Sequence, residues 1–237
     1  MTGEEFLRAL ADELIAELRP SERIKTFTTN SDVIGAYAEA SVRRFVARIV
    51  FPLRVCTGAV ISEQLCSNPA TVPQIDTIIW SPSAAPAIFC AGEFGLVPRG
   101  SSFGILEIKR SVYRGVGAKL KKSLQLKRLS GLVADVAETV RHADQTSSRD
   151  YPTHPGLGVI CVREKGQTDR NLEKLIDSGL AVVLFERDSD ELIANPHAVH
   201  RLVNFLILTR LRANLRDGRD FVNISLLNPL TEKADDS

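Results

Sequence analysis

FGILEIKR, residues 103–110, has the apolar residues of a buried strand and two that do not belong in one. Phe103, Ile105, Leu106 and Ile108 predict burial, while Glu107 and Lys109 lie two apart and so leave the same face of a strand. A core excludes both residue types unless they are paired or hold a ligand. Upstream, PQIDTIIW, residues 73–80, poses the same problem: Asp76 interrupts a strand bounded by Pro73 and Pro82. Two adjacent strands would bring Asp76 and Glu107 together at one end of a sheet. Carboxylates held close repel and raise each other's pKa unless a cation joins them. Hard oxygen ligands suit Mg²⁺ or Mn²⁺, and the Ile108 backbone carbonyl can add a third oxygen. Lys109 then stands beside the metal, placed to orient a water and to stabilise charge on a phosphate. Metal-bound water has a lowered pKa, so the pattern Asp-x30-Glu-x-Lys suits phosphodiester hydrolysis. The plainer alternative is a salt bridge on a half-exposed strand.

Working outward, helices and strands alternate, which predicts one α/β domain over 1–230 and a frayed acidic tail, TEKADDS, at 231–237. Thr2-x-x-Glu5 has capping-box spacing, and apolar residues continue at helical spacing until Pro20. A second helix is expected from Ser31 or Asp32 to about Val50. Strands are expected at 54–62 and 73–80, near Ile88, and at 103–109. A long helix over about 116–142 and a polar linker at 143–156 follow. Then come a strand at 157–163, a helix at about 168–178, a strand at 180–186, a helix at about 196–214 and a short strand at 220–226. LVPRGS, residues 96–101, matches an engineered protease site, but it lies between two expected strands and is read as native.

Composition bounds the function. Of 237 residues, 44% are hydrophobic and 25% charged, ordinary for a soluble globular chain, and the net charge of +1 rules out bulk charge as a basis for nucleic-acid binding. Cys56, Cys66, Cys90 and Cys161 show no zinc spacing and read as reduced thiols of a cytoplasmic protein. No apolar run reaches the roughly 18–20 residues that span a bilayer. Local charge is another matter. Eight basic residues run from Lys109 to Arg128, and no acidic residue stands between Glu107 and Asp135. Arg110, Arg114 and Lys119 open that run and are the candidate phosphate contacts, with little sequence specificity expected. Gly115 and Gly117 in RGVGAK can present backbone N–H groups to an anion. A solvated helix face is the alternative. His197 and His200, at i and i+3, lack a third ligand and read as capping or surface residues, and Trp80 and Tyr113 as packing residues.

The Asp76, Glu107 and Lys109 pattern resembles the PD-(D/E)XK nuclease superfamily. That resemblance implies a restriction-endonuclease-like core, α-β-β-β-α-β, with a central mixed sheet flanked by helices. It also points to Glu39 in GAYAE, residues 35–39, as the additional helix glutamate of the site. More narrowly, FPLRVCTGAVI, PQIDTIIW and LVPRGSSFGILEIKRS are similar in order and spacing to the NucC-type effector nucleases of bacterial antiviral (CBASS-type) defence. The resemblance is clearest over about 35–130 and returns at NPHAVHRLVNFLILTRL, residues 195–211. It implies Mg²⁺-dependent cleavage of double-stranded DNA by a homo-oligomer, trimer or hexamer. It also implies activation by a cyclic oligoadenylate or another cyclic nucleotide, with Arg54 as a ligand contact. Where the family carries an aromatic residue after the QID strand, this chain has SPSAAP, with Ala84 near that position. Two alternatives stay open: a catalytically silent module that binds a nucleotide or a partner, and a restriction or repair nuclease without a messenger.

Overall fold

The computed structural model describes residues 3–24, 26–61, 72–83, 86–127, 156–189 and 191–216. Thr2, Ala84, Cys66, Arg128, the rest of the expected helix to 142, most of the linker, the 220–226 strand and the 231–237 tail lie outside these residues.

Two helices open the fold, α1 (Gly3–Ile24) and α2 (Ser31–Val50). Leu10, Leu14 and Leu18 recur every four residues along α1 and are buried. The helix does not stop at Pro20 as expected but runs one more turn to Ile24. Proline removes its own N–H bond and crowds the carbonyl four residues back, but this one is exposed near the end of a helix already anchored by its apolar face. The α2 start agrees with the sequence: the Asn30 side chain accepts from the Asp32 and Val33 N–H groups.

The strands are β1 (Arg54–Ile61), β2 (Ile75–Trp80), β3 (Phe89–Ala91), β4 (Phe94–Pro98), β5 (Ser102–Ser111), β6 (Gly156–Glu164), β7 (Ala181–Asp188) and β8 (Glu191–Ala194). They form one mixed sheet in the order β3-β4-β1-β2-β5-β6-β7-β8. Near Ile88 the single expected strand is instead a hairpin, and its second strand runs parallel to β1. The LVPRGS stretch is part of the fold: Leu96–Pro98 end β4, with Val97 buried and paired to Val60, and Arg99–Ser101 form a 3-10 turn into β5. The small β8 was not expected; four residues on an edge carry too little alternation to read.

Between β5 and β6 lies α3 (Val116–Lys127), then α4 (Arg170–Asp177) between β6 and β7, and α5 (Pro196–Arg216) closes the described chain. Strands β5, β6 and β7 run parallel, so β6 and β7 are apolar on both faces rather than alternating. Val159, Cys161, Val182 and Leu184 pack with α1, α2 and α5. Ile160 and Val183 point the other way, to Val116, Leu120 and Leu124 of α3 and Leu172 and Leu175 of α4. Each fully buried Leu contributes about 1.5–3 kcal/mol, so these two layers fix the central strands. A third cluster, with Val60, Ile78, Trp80, Val97 and Ile105, packs the other half of the sheet.

Candidate functional site

The β2–β5 ladder sets the geometry. Thr77 pairs with Leu106 and Ile78 with Ile105, antiparallel, so the register runs toward Asp76 opposite Glu107. On its other side, β2 carries a bulge. Ile78 pairs with Cys56 and Ile75 with Gly58, leaving Asp76 and Thr77 opposite the single residue Thr57. An extra residue bends a strand and re-aims its side chains. At this bulge the Asp76 carboxylate takes up a backbone role: its Oδ2 accepts the Ile108 N–H at 2.8 Å.

Lys109 completes the arrangement. Its Nζ donates to Glu107 Oε1 at 2.7 Å, to the Ile108 carbonyl at 3.1 Å and to Asp76 Oδ2 at 3.5 Å. Glu107 is 5% exposed, so its partners decide whether that burial is tolerable. Burial alone would pull the Lys109 pKa down, but the Asp76 and Glu107 charges and hydrogen bonds outweigh it and hold it above the ordinary lysine value. The oddity in FGILEIKR is thus resolved inside the fold: one ammonium serves two carboxylates.

Glu39 stands close enough to feel the same charges. Burial, then the Asp76 carboxylate, push its pKa up to about 7, partly offset by Arg43 and Lys109. Its Oε2 lies 3.9 Å from Arg43 Nη1. Among the described residues, no three His, Cys, Asp or Glu side chains gather at metal-holding distance, so Glu39 does not join Asp76 and Glu107 as a direct third ligand. What does converge is two carboxylate oxygens and a backbone carbonyl within 3.5 Å of one cationic nitrogen. That hard-oxygen set, shown here to accept a positive charge, fits Mg²⁺ or Mn²⁺.

Arg43 escaped the sequence reading. Its Nη1 donates to the Asp76 carbonyl at 3.0 Å, and its Nε and Nη2 donate to Glu93 Oε2 at 3.2 and 2.8 Å. The available signal was its position four residues after Glu39, on the same helix face. Glu93, in the β3–β4 turn, gave none.

The remaining candidates lie elsewhere. Arg54 is exposed at the start of β1, its guanidinium 5.8 Å from the Trp80 ring centre. Trp80 is four residues beyond Asp76, about 13 Å along the strand, so Arg54 sits at the far end of β2. Arg110 is half-buried, and Arg114 and Lys119 are exposed, Lys119 Nζ lying 5.1 Å from the Tyr113 ring centre. The expectation for the two glycines is corrected. The Gly115 N–H is taken by Asp169 Oδ2 at 2.9 Å, so it is not open to an anion. A Cβ on Gly117 would run into the Leu172 backbone nitrogen, so that glycine lets α3 approach the start of α4. His200 Nε2 meets Asn204 Nδ2 at 3.1 Å, and Asn195, rather than a histidine, caps α5 by accepting the Ala198 N–H. Cys56, Cys90 and Cys161 are unbridged. No described helix is long and apolar enough to cross a membrane.

No protein-family model matches the chain. No curated protein matches it by sequence. Solved structures do. The cAAA-bound form of NucC from Escherichia coli MS115-1 superimposes with a TM-score of 0.51 at 13% identity, covering 88% of this chain and 91% of that one. The cAAA-bound NucC of Pseudomonas aeruginosa ATCC27853 gives 0.49 at 14% identity, covering 88% and 92%. The apo form of the E. coli protein gives 0.44 at 15% identity, covering 97% of each chain. The first of these carries the structural argument: the chain shares the α/β fold of a NucC, a mixed eight-stranded sheet flanked by helices.

Proposed function

We propose that this chain is a divalent-metal-dependent endonuclease. In this reading it hydrolyses double-stranded DNA with little sequence specificity and is an antiviral effector of the CBASS type, switched on by a cyclic oligonucleotide. The observation that carries the proposal is the convergence of Asp76, Glu107 and the Ile108 carbonyl on the Lys109 ammonium. It occurs within a fold shared with a nuclease whose structure holds cAAA. Asp76, Glu107 and the Ile108 carbonyl are the residues that would hold Mg²⁺ or Mn²⁺. Such an ion supplies a water of lowered pKa and offsets charge on the phosphate under attack. Lys109, kept charged by its neighbours, orients the attacking water and stabilises the negative charge that develops on the phosphate. The Ile108 N–H fixes the Asp76 carboxylate so that it need not reorganise. Glu39, pushed up to about 7, can take or give a proton near neutrality. Arg110, Arg114 and Lys119 meet DNA phosphates, and Arg54 contacts the activating nucleotide at a separate place. The working form is a cytoplasmic homo-oligomer, a trimer or a hexamer.

Plasmid cleavage tests the reading: Mg²⁺ with and without a panel of cyclic oligonucleotides, alongside Glu107→Ala. Cleavage that needs a cyclic oligonucleotide and is lost in the variant is the expected result. No cleavage under any condition overturns the enzyme reading, and cleavage indifferent to every nucleotide overturns the messenger only.

A further inference from the structure

We infer that Arg43 is a positioning residue that aims Asp76, and that Glu93 acts through it. The inference rests on the nuclease reading for its catalytic consequence, although its geometry stands apart from it. Arg43 is 11% exposed, unusually buried for an arginine, and each of its three guanidinium nitrogens donates a hydrogen bond near the bulge. Nη1 holds the carbonyl of Asp76 itself, the residue whose side chain the bulge turns toward Ile108. Nε and Nη2 close a fork on Glu93 Oε2 at the tip of the β3–β4 hairpin. A rigid planar fork of this kind fixes direction as well as charge, which a lysine cannot do. The same turn is tied to β1 where it faces the bulge: the Thr57 N–H donates to the Glu93 carbonyl at 2.7 Å, and Thr57 Oγ1 donates to the Ile75 carbonyl at 3.0 Å. So the backbone on both sides of Asp76 is held, by Thr57 at residue 75 and by Arg43 at residue 76. The guanidinium is turned to the Asp76 main-chain carbonyl and an exposed turn, with Glu39 Oε2 3.9 Å away, so Arg43 acts on the reaction through Asp76, and through its charge on Glu39, rather than by touching substrate.

The test uses the full chain with Arg43→Lys, Arg43→Gln, Glu93→Gln and the double variant Arg43→Gln/Glu93→Gln. Two readouts are taken: kcat and KM for DNA cleavage, and amide hydrogen exchange along β5. The Ile108 N–H reports directly on Asp76, because Asp76 Oδ2 is its acceptor. Arg43→Gln is expected to lower kcat about 100-fold, the order of loss for a small misplacement of a catalytic group, with KM nearly unchanged. Its Ile108 amide should exchange about 10-fold faster while Ile105 and Leu106 keep their protection, since a general loosening would release the strand together. Arg43→Lys should recover little, Glu93→Gln should show a smaller loss, and that loss should vanish in the Arg43→Gln background. A KM effect alone, a uniform loss of protection across β5, or additive losses in the double variant each overturn the inference. Wild-type protein that cleaves nothing while Arg43→Gln still releases Ile108 selectively would sink the nuclease reading and leave the placement of Asp76 by Arg43 standing.

Discussion

Lys109 does for two carboxylates what a divalent ion would do, and that equivalence can be measured. Removing the ammonium leaves Asp76 and the buried Glu107 to face each other. Breaking a buried pair from one side costs about 3–5 kcal/mol, less here because Lys109 keeps a quarter of its surface in water. Lys109→Met should therefore unfold in urea with a loss of about 2–4 kcal/mol in chelator. Added Mg²⁺ should then stabilise the variant more than it stabilises wild type, because in wild type the ion must first draw these oxygens away from the neighbouring ammonium and then stand beside its positive charge. Equal Mg²⁺ effects on the two proteins would show that these oxygens do not form a cation site. Glu39 makes a second prediction, in pH. Its ordinary value is 4.5 and its folded value about 7, so between the two the folded chain keeps a proton that the unfolded chain has lost. Glu39's contribution to stability must fall as pH rises through that window and stay lower above it. Glu39→Gln removes the penalty: without metal it should be the more stable protein at pH 8, by on the order of 1–2 kcal/mol after solvent screening, and level with wild type at pH 4. Urea midpoints at the two pH values decide it; a gain at pH 4 as large as at pH 8 would mean that burial of a charge is not the cause.

At the scale of elements, what could be read and what could not divide along a physical line. Strands β2 and β5 were legible because apolar residues frame Asp76, Glu107 and Lys109, and because the β2 register places the two carboxylates together. The bulge at Asp76–Thr77 was not legible, since it exists only by comparison with a partner strand. Arg43 and Glu93 meet across fifty residues of sequence, and nothing local announces the pair. The two glycines at the start of α3, Gly115 before it and Gly117 within it, show the opposite failure: a local pattern suggested an anion site, and tertiary contacts claimed both residues. That correction predicts a number. Gly117→Ala would force its Cβ onto the backbone of Asn171 and Leu172, which cannot yield as a flexible side chain can. The loss should be about 2–4 kcal/mol of stability, in the range of severe overpacking. Alanine at Ala118's exposed neighbour Lys119 should by contrast cost less than about 0.5 kcal/mol. A Gly117→Ala protein with unchanged urea midpoint and weakened DNA binding would restore the anion reading.

Across the whole molecule, the net charge of +1 conceals how charge is distributed, and distribution is what a polyanion meets. Along the chain no acidic residue interrupts the segment that leaves the site: β5 carries Arg110 out past Lys109, and Arg114, Lys119, Lys121 and Lys122 follow, while Asp169, an acid that meets this segment, is engaged by the Gly115 N–H. In the described part of α3, Val116, Leu120 and Leu124 face the core while Lys119, Lys121 and Lys122 are exposed. The face presented to solvent is therefore basic over the first turns of the helix. If DNA follows this face to the carboxylates, its affinity must depend on salt through the phosphates neutralised, each contributing about −0.9 to the slope of log K against log salt. Binding is best followed by anisotropy on Glu107→Gln, which keeps the surface and removes a carboxylate of the proposed site. Replacing Arg114 and Lys119 by alanine should flatten that slope by about 1–2 and weaken every duplex sequence to the same degree, since phosphate contacts carry no base information. A variant that loses affinity for some sequences only would place these residues against base edges. One that leaves the slope untouched would take DNA off this face and return the basic run to a solvated surface.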